Sequence, residues 1–160
     1  MWISRMDGNK QLERTYYNSI YRYSADERRR VQVPAMWRPT ATGIEFTLIL
    51  WPQSNEGPCL RVLPPEEMAK LMKTIDEMPN GERKTALKRE IGTASVQVAV
   101  DRGGRICIPE DMASGANIKS KGEVVLVGLL DRFEIWNPER YERVKAADAV
   151  LTQEAFKLME

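Results

Sequence analysis

The sequence contains no histidine among its 160 residues. Histidine is the side chain most often used for acid–base catalysis near neutral pH, and it is a common metal ligand. The serines and cysteines have no evident base partner, and neither a P-loop nor the G-x-G-x-x-G dinucleotide fingerprint is present. These absences argue against an enzyme, and nothing in the sequence indicates a cofactor or a metal.

The sequence also has only two cysteines, Cys59 and Cys107, whose spacing is not typical of metal sites. We interpret both as reduced residues in strands of a cytoplasmic protein. No apolar run approaches the roughly 18 residues expected of a membrane span. Residues 1–5 are not followed by the apolar segment of a secretory signal. The net charge is +1, so attraction for a polyanion would have to come from local clusters of basic residues.

What the sequence does contain is a pattern of strand, tight turn, strand and short helix at residues 98–112. Apolar residues alternate with polar ones on both sides of the turn, as in half-buried strands. Gly103 and Gly104 supply the backbone freedom that a tight turn needs. Pro109 cannot extend a ladder but suits the first turn of a helix. A charged residue flanks each side of the turn, which gives a D-x-x-x-R sequence.

The same pattern occurs 75 residues earlier. The matched pairs are Asp26 with Asp101, Arg30 with Arg105, and Pro34 with Pro109. Further along, residues 60–68 parallel residues 133–141: each is a strand, then proline, then glutamate in the first turn of a helix. The chain is therefore a tandem duplication, and its two halves are expected to share one core.

The resulting prediction is an α+β fold, mainly β, that forms one compact domain. The predicted parts are an N-terminal extension (1–16), a first repeat (17–78), a connecting helix (79–92), a second repeat (93–147) and a C-terminal helix or tail (148–160).

The arginines of the two turns are the candidates for function. A guanidinium on a tight turn can contact phosphate or read guanine in the major groove. The repeat would present Arg30 and Arg105 on one side, while Asp26 and Asp101 cap their turns or hold the arginines. The alternative is that each Asp–Arg pair only stabilises its hairpin, with the arginine turned inward.

A duplicated D-x-x-x-R turn followed by hydrophobic-x-hydrophobic-Pro resembles the MraZ family of bacterial transcriptional regulators. The resemblance covers about residues 17–144, and the sequences at 101–109, 124–128 and 133–136 carry it best. It implies an AbrB-like swapped-hairpin barrel, built from both repeats with short flanking helices. It also implies a ring homo-oligomer in the cytoplasm, associated with the nucleoid. Such a ring would bind short direct repeats in double-stranded DNA upstream of cell-division and cell-wall genes.

By matching positions, Arg30 and Arg105 take the role of the motif arginine. Arg28 falls where the first family motif usually has lysine, and Arg38 falls at the basic position after the short helix. Arg29 stands where the family usually has glycine; because arginine adopts positive φ only at a cost, a different first turn is expected. The candidate DNA-binding residues are Arg28, Arg29, Arg30, Arg38, Arg102 and Arg105. The candidate turn-structuring residues are Asp26, Asp101, Gly103, Gly104, Pro34 and Pro109.

Two functions remain open from the sequence. One is a DNA-binding regulator; the other is a protein-interaction module of the same fold, binding a toxin or a division factor, with weak or no DNA binding. A changed first turn would suit the second. Nucleic acid retained by the purified protein, measured by ultraviolet absorbance, would distinguish them.

Overall fold

The fold is known from a computed structural model that describes residues 15–52 and 55–160. Almost all of the predicted N-terminal extension, residues 1–16, lies outside this part of the chain. The described residues form an α+β structure with eight strands, four α-helices and one 3-10 turn. None of these helices is long and apolar enough to span a bilayer.

The elements follow the order that the repeat predicts. The strands are β1 (Ile20–Ser24), β2 (Arg30–Gln32), β3 (Glu45–Trp51), β4 (Cys59–Leu63), β5 (Ser95–Ala99), β6 (Arg105–Cys107), β7 (Glu123–Gly128) and β8 (Phe133–Trp136). The helices are α1 (Pro65–Asp76), α2 (Glu82–Thr93), α3 (Glu110–Gly115) and α4 (Pro138–Lys157), and the 3-10 turn is Ala35–Trp37. Helix α4 continues into segment 148–160, because no glycine or proline interrupts it after Pro138.

The strands on either side of each D-x-x-x-R turn do not pair with each other, as an ordinary hairpin would. Instead β1 pairs with β7, β5 with β3, and β2 with β6, all antiparallel. Each of these partners comes from the other repeat. The two repeats thus share one six-stranded sheet, in the order β1-β7-β8-β4-β3-β5, and one two-stranded ribbon, β2-β6.

The pairing has an internal two-fold symmetry that holds residue by residue. Ser24 lies opposite Glu123 in the first pairing. Ala99, which comes 75 positions after Ser24, lies opposite Glu45 at the equivalent place in the second. On the axis itself, equivalent residues of the two repeats face each other. These pairs are Val31 with Ile106 in the ribbon and Arg61 with Glu134 in the sheet.

A closed barrel is not seen in the described part of the chain. Strands β1 and β5 are the two edges of the six-stranded sheet, and no pairing joins them. The ribbon strands have three residues each, and a proline follows closely after each of them. Because proline cannot donate a hydrogen bond to a neighbouring strand, the ribbon stays short. It covers one face of the sheet.

The core lies between that face of the sheet and the ribbon. Trp37, which is 1% exposed, lies at its centre, with its ring 4.8 Å from Phe133 and 5.9 Å from Tyr17. Both members of the axial pair Val31 and Ile106 are buried against it. The core therefore depends on residues from both repeats.

The other face of the sheet holds a buried ion pair on the two-fold axis. Arg61 Nη2 is 3.1 Å from Glu134 Oε2, and the two side chains are only 13% and 8% exposed. Trp136 donates its ring N–H to Glu134 Oε1 (3.0 Å), and the Arg61 guanidinium lies 4.1 Å from the Trp51 ring centroid. In a true homodimer a residue on the axis faces its own copy. Here the duplication lets the two positions carry opposite charges.

Glu134→Gln is expected to lower the free energy of unfolding by about 3 kcal/mol, because it removes the carboxylate charge from a largely buried ion pair. The control is Glu142→Gln, which breaks an ion pair with Arg22 whose side chains are 57% and 58% exposed; that change should cost less than about 0.5 kcal/mol. Urea unfolding of both variants measures the difference. Equal costs would show that the axial pair does not stabilise the fold.

Candidate nucleic-acid interface

Asp26 closes the first D-x-x-x-R turn. Its N–H donates to the carbonyl oxygen of Arg30 (3.0 Å), and its own carbonyl accepts from the N–H of Arg29 (3.0 Å). Its carboxylate oxygen Oδ1 accepts from the N–H groups of Arg30 (2.8 Å) and Arg28 (2.9 Å), and Oδ2 accepts from Arg30 Nε (2.6 Å). The backbone N–H of Arg30 is the largest cause that lowers the pKa of this carboxyl below its ordinary 3.8.

Asp101 closes the second turn in the same way. Its N–H donates to the carbonyl of Arg105 (2.8 Å), and its carbonyl accepts from the N–H of Gly104 (3.0 Å). Its carboxylate accepts from the N–H of Arg105 (2.9 Å), which is the main cause of a lowered pKa for Asp101. Arg105 Nε lies 3.3 Å from the other carboxylate oxygen.

These shifts give the turns a defined pH dependence. A carboxyl whose pKa is lowered by folding stabilises the fold above its unfolded pKa. That stabilisation is lost as the pH falls through the folded pKa. Both turns are therefore closed by ionised carboxylates at neutral pH and are weakened only in acid.

The ribbon brings the two turns side by side. Arg105 Nη1 is 3.6 Å from Asp26 Oδ2, and Gln32 donates its side-chain N–H to the carbonyl of Gly103 (3.3 Å). The motif arginines Arg30 and Arg105 are thus grouped around Asp26, with 30% and 35% of their side chains exposed. Both arginines are ion-paired with carboxylates, as expected if the pairs stabilise the turns. Both are also partly accessible, as a contact with DNA requires.

Arg28 and Arg102 add two positive charges next to the motif arginines. Both are exposed, and neither side chain has a hydrogen-bond or ion-pair partner among the described residues. They lie at the tips of the first and second turn, respectively, beside the motif arginines.

Two further basic residues, Lys119 and Lys121, lie beside the first turn and were not predicted. Ser120 Oγ donates to the carbonyl of Glu27 (2.8 Å), and the N–H of Lys121 donates to the carbonyl of Asp26 (3.2 Å). Both lysines are exposed. The short K-S-K sequence carried no recognisable signal, since only the folded chain brings it to residues more than 90 positions away.

Arg29 adopts the left-handed conformation, with φ of +61°, as Gly104 does at the equivalent position with φ of +80°. The expectation of a different first turn is therefore wrong. Two hydrogen bonds to Ile108 hold Arg29. The Arg29 carbonyl accepts from the N–H of Ile108 (3.0 Å), and the Arg29 Nε donates to the carbonyl of Ile108 (3.2 Å). These bonds offset the cost of positive φ.

Arg38 has the equivalent contact in the other half. Its Nε donates to the carbonyl of Val33 (2.8 Å), and Val33 is the equivalent of Ile108. A Cβ at Gly104 would collide with the Arg38 guanidinium, which lies against that glycine. The equivalent carbonyls of Ile108 and Val33 thus each accept from one guanidinium, and both donors, Arg29 and Arg38, belong to the first repeat.

The remaining turn residues have local roles. Gly103 does not have positive φ, but a Cβ there would lie 3.1 Å from Arg105 Nε, so the glycine leaves room for that guanidinium. Pro34 and Pro109 follow the ribbon strands and precede helical turns, where their carbonyls accept from Trp37 (2.9 Å) and Ala113 (2.9 Å). In the described part of the chain no group of acidic and cysteine side chains has the arrangement of a metal site.

Comparison with known proteins gives matches over most of the chain. A family model described as "MraZ protein, putative antitoxin-like" matches residues 92–157. A protein from Thermus thermophilus named "Transcriptional regulator MraZ" is 32% identical over 134 residues, which cover 83% of this chain and 88% of that protein. Proteins of the same name from Syntrophotalea carbinolica and Rickettsia typhi are 29% identical (89% of this chain, 93% of that protein) and 31% identical (78% and 83%).

Gly104→Ala is expected to destabilise the protein by about 2 kcal/mol, from positive φ and from displacing Arg38 from the Val33 carbonyl. The control is Gly43→Ala, since Gly43 has φ of +81° and nothing within 4 Å of an added Cβ; it should cost about 1 kcal/mol. In an Arg38→Ala background the two alanine substitutions should cost the same. Thermal unfolding measures the two single glycine variants, Arg38→Ala and the two double variants, and a difference that persists without Arg38 would contradict the assignment.

Proposed function

The chain belongs to the MraZ family, and we propose that it is a DNA-binding transcriptional regulator, as its named relatives are. The observation that carries this proposal is the convergence of two D-x-x-x-R turns on one side of the molecule. We further infer that the exchange of strands between its repeats is the swapped-hairpin arrangement of the family. No catalysis and no cofactor enter the proposal.

The exposed cations supply the affinity. Arg28 and Arg102 at the turn tips, with Lys119 and Lys121 beside the first turn, are positioned to contact DNA phosphates. Each phosphate contact releases condensed counterions, so the affinity falls as salt rises. The chain has a net charge of only +1, which makes this local clustering the source of attraction.

The motif arginines supply the specificity. Asp26 accepts hydrogen bonds from the backbone and the guanidinium of Arg30. The Arg105 guanidinium forms ion pairs with Asp101 (3.3 Å) and Asp26 (3.6 Å), so each guanidinium has a defined orientation. An oriented guanidinium can read guanine through two hydrogen bonds. From the family resemblance, we propose that the DNA sites are short direct repeats upstream of cell-division and cell-wall genes. The protein would then act in the cytoplasm, at the nucleoid.

Repeated DNA sites suit a protein that assembles with copies of itself, because linked weak contacts gain avidity. We propose a ring homo-oligomer. Its support in this chain is the outer half of helix α4 with the residues that follow it, which are exposed and carry apolar side chains. These include Leu151 (62% exposed) and Phe156 (63%) on the helix and Leu158 (88%) directly after it.

Arg28→Ala and Arg102→Ala are each expected to weaken binding to double-stranded DNA. Each should also reduce the slope of log affinity against log salt by about 0.9, the value for one lost phosphate contact. Neither should change the melting temperature, since neither side chain has a partner in the described structure. Fluorescence anisotropy at several salt concentrations measures the slope.

The matched control is Arg89→Ala, an exposed arginine on α2 outside the two turns, which should leave the slope unchanged. Unaltered binding in both turn variants would reject the interface. A wild-type protein without salt-dependent DNA affinity would favour the protein-interaction module instead. Selection of binding sites from random DNA would then identify the sequence read by Arg30 and Arg105.

Leu151→Glu combined with Leu158→Glu is expected to shift the protein to smaller assemblies, because charge replaces two exposed apolar side chains at the C-terminal end of α4. Light scattering coupled to gel filtration measures the mass. A matched change at an exposed polar residue of the same helix, Gln153→Glu, should have no effect. An unchanged mass in the double variant would place the subunit contact elsewhere.

A further inference from the structure

The internal two-fold symmetry allows the surroundings of the two turns to be compared residue by residue. The register of β1 with β7 and of β5 with β3 makes residues 41–44 the equivalent of residues 119–122. Gly43 and Lys121 are equivalents, and both have positive φ, +81° and +61°. The first turn is therefore flanked by two basic left-handed residues, Arg29 and Lys121, and the second by two glycines, Gly104 and Gly43.

The loop beside the first turn is bonded to it. Lys121 donates to the Asp26 carbonyl (3.2 Å), Ala25 donates to the Gly122 carbonyl (2.8 Å), and Ser120 Oγ donates to the Glu27 carbonyl (2.8 Å). None of the three equivalent bonds forms between the loop 41–44 and the second turn, both of which the structure describes. This loop stands away from the turn and leaves a cleft of about 340 Å³.

The lining of this cleft is rich in hydrogen-bond donors. Arg38 and Arg102 line it and carry guanidinium groups, and Thr40 and Thr42, which carry hydroxyls, line the same cleft. The backbone N–H groups of Gly43 and Val100 have no acceptor in the described structure. Their equivalents, the N–H groups of Lys121 and Ala25, donate to the carbonyls of Asp26 and Gly122. Gly43 stands where the first turn has Lys121 and has nothing within 4 Å of an added Cβ, so a ligand can approach the backbone closely at this residue.

One carboxylate, that of Asp101, also lines the cleft. It is already engaged by the backbone N–H of Arg105 (2.9 Å) and by the Arg105 guanidinium (3.3 Å). The two remaining guanidinium groups and the backbone donors therefore favour an oxyanion, which accepts several charge-assisted hydrogen bonds at once.

We propose that the cleft between the loop 41–44 and the second turn is a phosphate-binding site, and that the phosphate belongs to the DNA backbone. The second part rests on the proposed function. The two turns then act differently: the second holds a phosphate within a cleft, while the first is closed by its loop and offers only outward lysines and arginines.

The test uses the full-length protein labelled with ¹⁵N at its 10 glycines and titrated with inorganic phosphate at constant ionic strength. The Gly43 amide signal should shift, whereas those of Gly81 and Gly92, at the two ends of helix α2, should not. Thr42→Asp, which adds a carboxylate to the cleft, should abolish the Gly43 shift. It should also reduce the salt slope for double-stranded DNA of random sequence by about 0.9. Thr85→Asp, an exposed threonine on α2, is the matched control for added charge, and thermal unfolding checks that both variants fold.

The two parts of the proposal fail separately. No shift of Gly43 with phosphate overturns the site, whatever the DNA affinity. A shift that Thr42→Asp abolishes, with an unchanged DNA slope, identifies a site for free phosphate and overturns the assignment to the DNA backbone. If the wild-type chain binds no DNA, the proposed function fails, and the glycine titration still decides whether the cleft binds phosphate.

Discussion

The pairing of β2 with β6 positions the two turns of the candidate interface. These two short strands come from different repeats, and their register sets Val31 opposite Ile106 on the two-fold axis. Because each strand begins at the arginine of its own turn, the pairing also sets the two turns side by side. The contact of Arg105 with Asp26 at 3.6 Å follows from this register. A shift of one residue would turn the buried side chains of the ribbon outward and separate the turns.

Placing both repeats in one chain allows the halves of a symmetric structure to differ. The axial positions 61 and 134 carry opposite charges, which identical subunits could not do. Arg29 and Gly104 are equivalents, and the space that the glycine leaves is occupied by Arg38 from a different position. Gly43 and Lys121 differ in the same way, and the loop around each is open in one half and bonded in the other. The backbone is nearly symmetric, while the charges and the clefts beside the turns are not.

Much of the fold could be predicted from the sequence, because the repeat and its turn residues are local signals. The D-x-x-x-R pattern, the prolines after it and the period-two strands identify the elements and the candidate arginines. Period-two alternation does not identify a strand's partner, so it could not show that β1 and β2 pair with the other repeat instead of with each other. Lys119 and Lys121 could not be identified either, because the sequence does not show that their loop lies beside the first turn. The positive φ of Arg29 depends on bonds to Ile108, which is distant in sequence.

Carboxylates at a surface that binds a polyanion require a physical reason, and the turns supply one. Asp26 and Asp101 each accept the N–H groups of their own turn and pair with the motif arginine, so their charge is neutralised within the protein. An arginine that is already oriented by a carboxylate loses less side-chain freedom when it contacts a base or a phosphate. The same pairing holds about two thirds of each motif side chain away from solvent. The aspartates therefore weaken the long-range attraction of the motif arginines but give their contacts a defined direction. The exposed cations around them, Arg28, Arg102 and the two lysines, supply the attraction that the ion pairs do not.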